Sequence, residues 1–305
     1  MRTLFGMEGL RPLPESTVCI GVFDGVHLGH RSVIQRAVSM ARENSRPCVL
    51  FTFDRHPMAI LAPENCPKEL IPLEWKLKRI DDQGVDVCIL AQFDEEFAQQ
   101  TRDEFLNNIL VKQLSAKEVI VGHDFAFGKG RSGTGEWLAK QIPTTIVEAR
   151  ESEGERVSST QIRQLIEAGS IEMANKLLGD TFLASGVVMK GQKLARTWGI
   201  PTINLALLTQ QVIPGFGIYA GRALTEVGQY SAAISVGNRP TFEGAGFAIE
   251  AHLLDFPGVN LYGTAVVLEF HYFLRTEAKF DNVELLIEQI KLDCVEAKSL
   301  MEIKL

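Results

Sequence analysis

The alternation of apolar and polar positions divides the chain into two halves of different character. From Thr17 to about Leu178, short apolar runs alternate with segments whose apolar residues recur at helical spacing. Strands are predicted at residues 17–20, 47–53, 85–90, 119–121 and 144–147. Strands that alternate with helices indicate a parallel sheet covered on both faces, and such sheets bind ligands at the carboxyl ends of their strands. Thr101 and Glu104 predict a capping box, and Gly179 is predicted to end the last helix of this half.

The pattern changes near Phe182. Strand-like runs now follow one another directly, separated by glycines and prolines, as in an antiparallel barrel. These strands are predicted at residues 182–189, 217–224, 230–236, 247–254 and 265–273. The chain ends in a helix whose apolar residues between Val283 and Ala297 share one face, which we expect to pack on the barrel. The predicted fold is α/β plus β: a Rossmann-like domain of residues 1–181 and an antiparallel β-barrel domain of residues 182–305.

Composition limits the classes of function. A length of 305 residues with 46% hydrophobic and 23% charged residues is typical of a globular protein of two domains. The net charge of -7 argues against a nucleic-acid-binding surface. We expect no membrane partner, because no run approaches the ~20 apolar residues of a membrane span. The five cysteines form no CxxC pair, which argues against a zinc site and indicates a reducing, cytoplasmic location.

The sequence GVFDGVHLGH, residues 21–30, lies where the first predicted strand turns into a helix. Gly25 and Gly29 have no Cβ and allow a ligand to approach the backbone. The helix N-terminus favours a phosphate, and His27 and His30 would lie beside that phosphate as hydrogen-bond donors. We therefore hypothesise a nucleotide site. The alternative is a tight turn with two incidental histidines.

Two further segments have residues suited to the same site. In VSSTQIR, residues 157–163, the hydroxyl groups and Arg163 match the needs of a triphosphate. Helix capping alone would explain the serines and the threonine but not Arg163. The loop GHDFAFGKG, residues 122–130, contains a carboxylate and two phenylalanines that could hold a planar ring; the alternative is that the phenylalanines pack in the core.

These motifs resemble the HxGH and ISSTxIR signatures of the nucleotidyltransferase superfamily. The longer string GVFDGVHLGH is similar to the FMN adenylyltransferase half of bifunctional riboflavin kinase/FAD synthetases. The resemblance implies that His27 and His30 donate hydrogen bonds to the α-phosphate of ATP and that Thr160 and Arg163 hold the β- and γ-phosphates. The remaining residues of the implied ATP site are Gly21, Phe23, Asp24, Gly25, Gly29 and Ser159. The implied FMN site consists of Asp124, Phe125 and Phe127.

Three segments of the second half resemble the riboflavin kinase domain, namely residues 186–205, 236–242 and 249–255. The resemblance implies that Thr202 and Asn204 bind Mg²⁺ and nucleotide phosphate and that Glu250 accepts the proton of riboflavin's 5′-hydroxyl. It also places Gly191 and Arg196 in the ATP-binding loop, where Ala195 stands in place of the family's usual glycine. Without the resemblance, the alternatives are a solvent-facing carboxylate at Glu250 and turn capping by Thr202 and Asn204.

The expected function is flavin cofactor biosynthesis. Riboflavin would be phosphorylated to FMN with ATP, and FMN would then be adenylylated to FAD with release of pyrophosphate, with Mg²⁺ as the metal. One alternative is a FAD synthetase whose kinase is weakened or lost. Another is a flavin-binding protein without turnover. A different nucleotidyltransferase, such as a pantetheine-phosphate type, would not explain residues 182–305.

Overall fold

The computed structural model describes residues 1–8, 11–152, 154–190, 198–238 and 246–302. It divides into two compact units. The first comprises Met1–Glu69 and Leu73–Ser159, and the second comprises Leu70–Pro72 and Thr160–Leu305. None of the helices in this described part of the chain is long and apolar enough to cross a membrane.

A six-stranded parallel sheet forms the centre of the first unit, in the order β1-β4-β3-β2-β5-β8. Its strands are β1 (Arg2–Phe5), β2 (Ser16–Ile20), β3 (Cys48–Phe53), β4 (Val87–Ala91), β5 (Ala116–Gly122) and β8 (Thr144–Val147). The predicted parallel sheet is confirmed. The sequence did not predict β1, because this strand lies at the sheet edge and none of its residues is fully buried.

Two short antiparallel ribbons accompany the sheet. They are β6 (Ala126–Phe127) with β7 (Gly133–Thr134) and β9 (Glu151–Ser152) with β10 (Glu155–Arg156).

Helices cover both faces of the sheet and enclose a separate core on each. The helices are α1 (Leu28–Glu43), α2 (Met58–Leu61), α3 (Leu73–Asp81), α4 (Glu95–Gln99), α5 (Arg102–Glu104) and α6 (Gly135–Leu138). A π-helix (Phe105–Gln113) continues α5, and short 3₁₀ turns occur at Asp24–Val26, Pro63–Asn65 and Lys129–Arg131. Helix α1 buries Val33, Ile34 and Ala37 in one core. The predicted capping box of Thr101 and Glu104 is present at the start of α5.

The second unit is built around a closed antiparallel barrel in the order β11-β12-β15-β14-β13-β16. Its strands are β11 (Phe182–Met189), β12 (Ile203–Leu207), β13 (Gly217–Thr225), β14 (Gly228–Gly237), β15 (Ala248–Leu253) and β16 (Ala265–Arg275). The barrel is accompanied by α7 (Ser159–Glu167), α8 (Ile171–Leu178) and α9 (Val283–Glu302). The predicted barrel and terminal helix are confirmed, and Ala297 of α9 packs against Ala220 and Ala233 of the barrel. Of these six strands, only β12 was not predicted from the sequence.

One side chain of helix α8 makes two hydrogen bonds to strands of the barrel. Asn175 donates a hydrogen bond from Nδ2 to the carbonyl of Phe270 at 2.8 Å and accepts one at Oδ1 from the backbone N–H of Phe182 at 2.7 Å. Gly179 ends the helix in the left-handed conformation, with φ of 68°. The compact barrel unit therefore includes residues before 182, while the proposed domain boundary at 181/182 stays a prediction.

We expect a fragment of residues 160–305 to unfold at a higher temperature than a fragment of residues 182–305. Only the longer fragment keeps α8 and its two hydrogen bonds, each of which contributes about 1 kcal/mol. Thermal unfolding followed by far-UV circular dichroism measures the difference. Equal midpoints would show that α8 does not stabilise the barrel.

Candidate active sites

The turn between β2 and α1 has an unusual backbone. Phe23 and Val26 are left-handed, with φ of 52° and 47°, and Gly25 lies between them at φ of 80°. A non-glycine residue in this conformation costs roughly 1–2 kcal/mol. Both side chains are nonetheless buried, Phe23 at 2% exposure and Val26 at 0%. Such strain is concentrated at functional sites, where the surrounding structure holds it in place.

This backbone places His27 at the N-cap of α1. Its Nδ1 accepts a hydrogen bond from the backbone N–H of His30 at 3.2 Å, so the neutral ring has its proton on Nε2. The rings of His27 and His30 stack with centroids 3.6 Å apart, and His30 meets the edge of Phe23 at 5.4 Å. A Cβ on Gly29 would lie 3.2 Å from the His27 ring, a tight contact that glycine avoids. The two imidazoles form one unit at the helix N-terminus.

The first residues of the VSSTQIR signature, residues 157–163, contact this turn. Ser159 donates a hydrogen bond from Oγ to the carbonyl of Asp24 at 3.2 Å, and the carbonyl of Val157 lies 3.4 Å from the position of a Cβ on Gly29. Helix α7 begins at Ser159. Thr160 and Arg163 follow on α7, one turn apart, and belong to the second compact unit.

The loop after β5 places its two phenylalanines differently. Phe127 is 8% exposed and packs in the core against Phe105 and Trp137. Phe125 is only partly buried and stacks on Phe127, with centroids 5.3 Å apart. Asp124 is exposed. Of the two rings, Phe125 is therefore the one available to a ligand, and Phe127 supports it.

An apolar cavity of about 330 Å³ lies beside this loop. Its lining includes Phe93, Phe97, Phe105 and Gly128. Sequence reasoning did not assign these aromatic residues to a site. Their position could have indicated a site, because Phe93 lies two residues after the carboxyl end of β4 and Phe97 lies on α4, the next helix.

Beneath the turn lies a buried lysine on α3. Lys76 is 8% exposed and donates hydrogen bonds from Nζ to Thr52 Oγ1 at 2.8 Å and to the carbonyl of Phe53 at 3.4 Å. Burial lowers the pKa of Lys76 to about 8, and Asp24 is the strongest of the nearby groups that oppose this shift. The burial of Lys76 was not predicted from the sequence pattern.

The barrel brings together three of the predicted kinase residues, Thr202, Asn204 and Glu250. In the strand register Glu250 of β15 lies opposite Asn204 of β12 on one side and Ser235 of β14 on the other. Thr202, just before β12, donates a hydrogen bond from Oγ1 to Glu250 Oε2 at 3.4 Å. Neighbouring His252 contacts the carbonyl of Pro201 through Nδ1 at 2.8 Å. Sequence reasoning missed Ser235 and His252, because strand register is not encoded locally.

Two cavities meet this polar row. One of about 750 Å³ is lined by Thr202, Asn204 and His252, among others, and one of about 250 Å³ by Ser235, Glu250 and Arg275. In the smaller cavity Arg275 forms a two-pronged ion pair with buried Asp293, at 2.8 Å and 2.6 Å, which raises the pKa of the guanidinium. Thr202 and His252 line both cavities, so the row borders two spaces, which suits a reaction between two substrates. Gly191, Ala195, Arg196 and the segment 239–245 lie outside the described residues.

Comparison with known proteins agrees with this arrangement. A family model described as FAD synthetase matches residues 11–161, and one described as riboflavin kinase matches residues 178–301. A bifunctional riboflavin kinase/FMN adenylyltransferase of Bacillus subtilis is 34% identical over 291 residues, covering 93% of this chain and 92% of the relative. One from Haemophilus influenzae is 36% identical over 295 residues, covering 95% of each. A crystal structure described as a macrolide-efflux protein from Streptococcus pneumoniae matches with a TM-score of 0.89 and 31% identity, covering 98% of this chain and 99% of that one.

The fold and the two matched family models define a nucleotide-using transferase. The chain belongs to the bifunctional riboflavin kinase/FMN adenylyltransferase family. It phosphorylates riboflavin to FMN with ATP and transfers an adenylyl group from ATP to FMN, giving FAD and pyrophosphate.

We predict that Lys76→Met stabilises the protein at neutral pH and that the gain disappears at alkaline pH. Folded Lys76 loses its proton near pH 8, whereas the unfolded chain loses it near the ordinary value of 10.5. Between these values the unfolded state binds more protons, so the wild-type free energy of unfolding rises with pH. Below them the buried charge costs at most about 3 kcal/mol, which methionine avoids. Urea unfolding of both proteins across this range measures the gap, with exposed Lys78→Met as control; a gap that does not change with pH would contradict the prediction.

Proposed function

We propose that residues 1–181 perform the adenylyl transfer and residues 182–305 the riboflavin phosphorylation. The matched spans of the two family models, 11–161 and 178–301, support this division. The substrates would be ATP, FMN and riboflavin, each recognised as a small molecule. A cytoplasmic location would match the supply of these substrates and the five cysteines of the chain, which all lie in the described residues and form no disulfide.

In the first half, ATP would bind at the carboxyl end of β2 with its α-phosphate beside the two imidazoles. The stacked rings of His27 and His30 at the N-terminus of α1 are the main support for this placement of ATP. A phosphate oxygen of FMN attacks the α-phosphorus, and the bond to pyrophosphate breaks. The attacking oxygen is already an anion, so the protein needs no side-chain base. It aligns the reactants and stabilises the developing charge.

The other residues of this site would divide between the phosphates and the flavin. Because Nδ1 of His27 is engaged at the N-cap, its Nε2–H is the donor toward the α-phosphate. Thr160 and Arg163 would hold the β- and γ-phosphates that leave as pyrophosphate. The glycine-containing turn with Phe23 and Asp24 would surround the nucleotide; its members are Gly21, Phe23, Asp24, Gly25, Gly29 and Ser159. Phe125 would contact the flavin ring, with Phe127 behind it and Asp124 at the rim.

In the second half, Glu250 would accept the proton of riboflavin's 5′-hydroxyl as that oxygen attacks the γ-phosphorus of ATP. The hydrogen bond from Thr202 fixes one carboxylate oxygen of Glu250. A carboxylate is a weak base for an alcohol, so most of the rate would come from positioning and charge. The larger cavity beside Thr202 and Asn204 and the smaller one beside Glu250 would hold the two substrates separately.

The donors around Glu250 fit Mg²⁺. A hydroxyl, an amide and a carboxylate meet there, and these oxygen donors are of the kind that Mg²⁺ prefers together with phosphate and water. Thr202 and Asn204 would hold the ion, which would offset the charge of the transferred phosphoryl group. Gly191 and Arg196 would complete the ATP site from the preceding loop.

We predict that His30→Ala lowers FAD formation from FMN by about 10²–10³-fold, the usual effect of removing one such donor. Riboflavin phosphorylation should stay near the wild-type rate, because Glu250 and Thr202 are untouched. Chromatographic separation of FMN and FAD over time measures both reactions. Gln35→Ala, on the exposed face of the same helix, is the matched control. FAD synthesis at the wild-type rate would remove His30 from the site.

We predict the opposite pattern for Glu250→Gln. Glutamine keeps the size and the hydrogen bond from Thr202 but cannot accept the hydroxyl proton, so riboflavin phosphorylation should fall strongly. Adenylylation of supplied FMN should be unchanged. Glu226→Gln, on the exposed β13–β14 turn, is the control. An equal loss of both reactions would contradict the assignment of separate sites.

A further inference from the structure

Two buried cationic side chains of helix α3 support the strained turn that precedes α1. Lys76 and Arg79 stand one turn apart on α3 and are 8% and 4% exposed. Long cationic side chains are almost never this buried unless they are paired. Neither residue belongs to the motifs from which the ATP site was predicted.

Lys76 acts on the first peptide group of the turn through a relay. Its Nζ donates to Thr52 Oγ1 at 2.8 Å, and the Thr52 hydroxyl in turn donates to the carbonyl of Val22 at 3.0 Å. Thr52 is fully buried in β3. The carbonyl of Val22 belongs to the peptide group that leads into left-handed Phe23.

Arg79 acts on the second strained position directly. Its Nη1 donates to the carbonyl of Gly25 at 3.1 Å in a buried hydrogen bond. That carbonyl belongs to the peptide group that leads into left-handed Val26. The two cations therefore hold the two peptide groups whose orientation defines the turn.

We propose that Lys76 and Arg79 are positioning residues of the adenylyltransferase site, which keep the turn of residues 23–26 in the shape that presents His27 and His30 to the nucleotide. This inference rests on the proposed roles of the two histidines. Lys76 and Arg79 themselves do not touch the reacting atoms. Their effect is on orientation, and small displacements of aligned groups have large effects on rate.

The charge of Lys76 is part of this function. Its surroundings are Asp24 in the turn, Asp54 after β3, Glu69 and the Cys88 thiol of β4. With a pKa of about 8, Lys76 is charged at neutral pH and becomes neutral as the pH rises further. A neutral amine holds the Thr52 hydroxyl less firmly than an ammonium group does, because charge-assisted hydrogen bonds are about twice as strong.

The first test compares two lysines of the same helix. Lys76→Met should lower the kcat of FAD formation about tenfold or more and leave riboflavin phosphorylation unchanged. Lys78→Met, on the exposed face of α3, should change neither reaction. Equal FAD formation in the two variants overturns the proposal. If His30→Ala abolishes FAD formation while Lys76→Met does not affect it, the positioning role fails and the histidine roles stand.

The second test is the pH profile, which a merely structural lysine would not move. Wild-type kcat for FAD formation should fall as the pH rises through about 8. Lys76→Arg should stay active to higher pH, because a guanidinium remains charged there. An alkaline limit that is the same in wild type and Lys76→Arg overturns the role of the charge.

The relay offers a variant that does not alter the cation. Thr52→Val keeps the shape of the side chain and removes the hydroxyl that joins Lys76 to Val22. It should lower FAD formation while the kinase activity, measured in the same sample, shows that the chain is folded. Thr52→Ser should restore the wild-type rate. Thr52→Val with normal FAD formation overturns the relay, whatever the lysine variants show.

Discussion

The first half depends on a tight connection between the most buried strand of the sheet and the helix that follows it. The chain turns from β2 into α1 within a few residues, which requires left-handed backbone at Phe23, Gly25 and Val26. The peptide groups of such a turn point into the protein and must find hydrogen-bond partners. Thr52 and Arg79 supply them for the carbonyls of Val22 and Gly25, and Arg31 supplies one for Val26 at 3.0 Å. These donors therefore satisfy three carbonyl groups of the turn that leads into α1.

Much of this arrangement follows from sequence, and the rest fails for identifiable physical reasons. The apolar run of β2 and the glycines and histidines after it indicate a phosphate-binding turn, because local chemistry is sufficient there. Lys76 and Lys78 cannot be distinguished in the same way, since α3 has cations on both its buried and its exposed side. Phe127 shows the same limit from the other side: its loop resembles a ligand-binding loop, and the sequence left open whether its ring packs in the core, as it does. Whether each of these side chains is buried or exposed depends on the tertiary structure and not on the local sequence.

On strand β15, the residues that stabilise the barrel lie on one face and the residues proposed to act in the reaction lie on the other. Ile249, Ala251 and Leu253 of β15 are buried, while Glu250 and His252 between them face the cavities. This period of two was visible in the sequence, but the partners of Glu250 were not, because they lie on β12 and β14. A closed barrel fixes that register, since a slip by one residue would turn the carboxylate into the core.

Under the proposed division of the two reactions, the two halves would need different side chains because their nucleophiles differ in charge. A phosphate oxygen arrives as an anion, so a site for adenylyl transfer needs donors and positive charge and gains nothing from a base. The first half matches this requirement with imidazoles, a helix N-terminus and buried cations beneath the turn. An alcohol must lose a proton as it reacts, so a site for phosphorylating a hydroxyl group needs an acceptor. A carboxylate held by a neighbouring hydroxyl occurs in the second half, at Glu250, where the protonated nucleophile would bind.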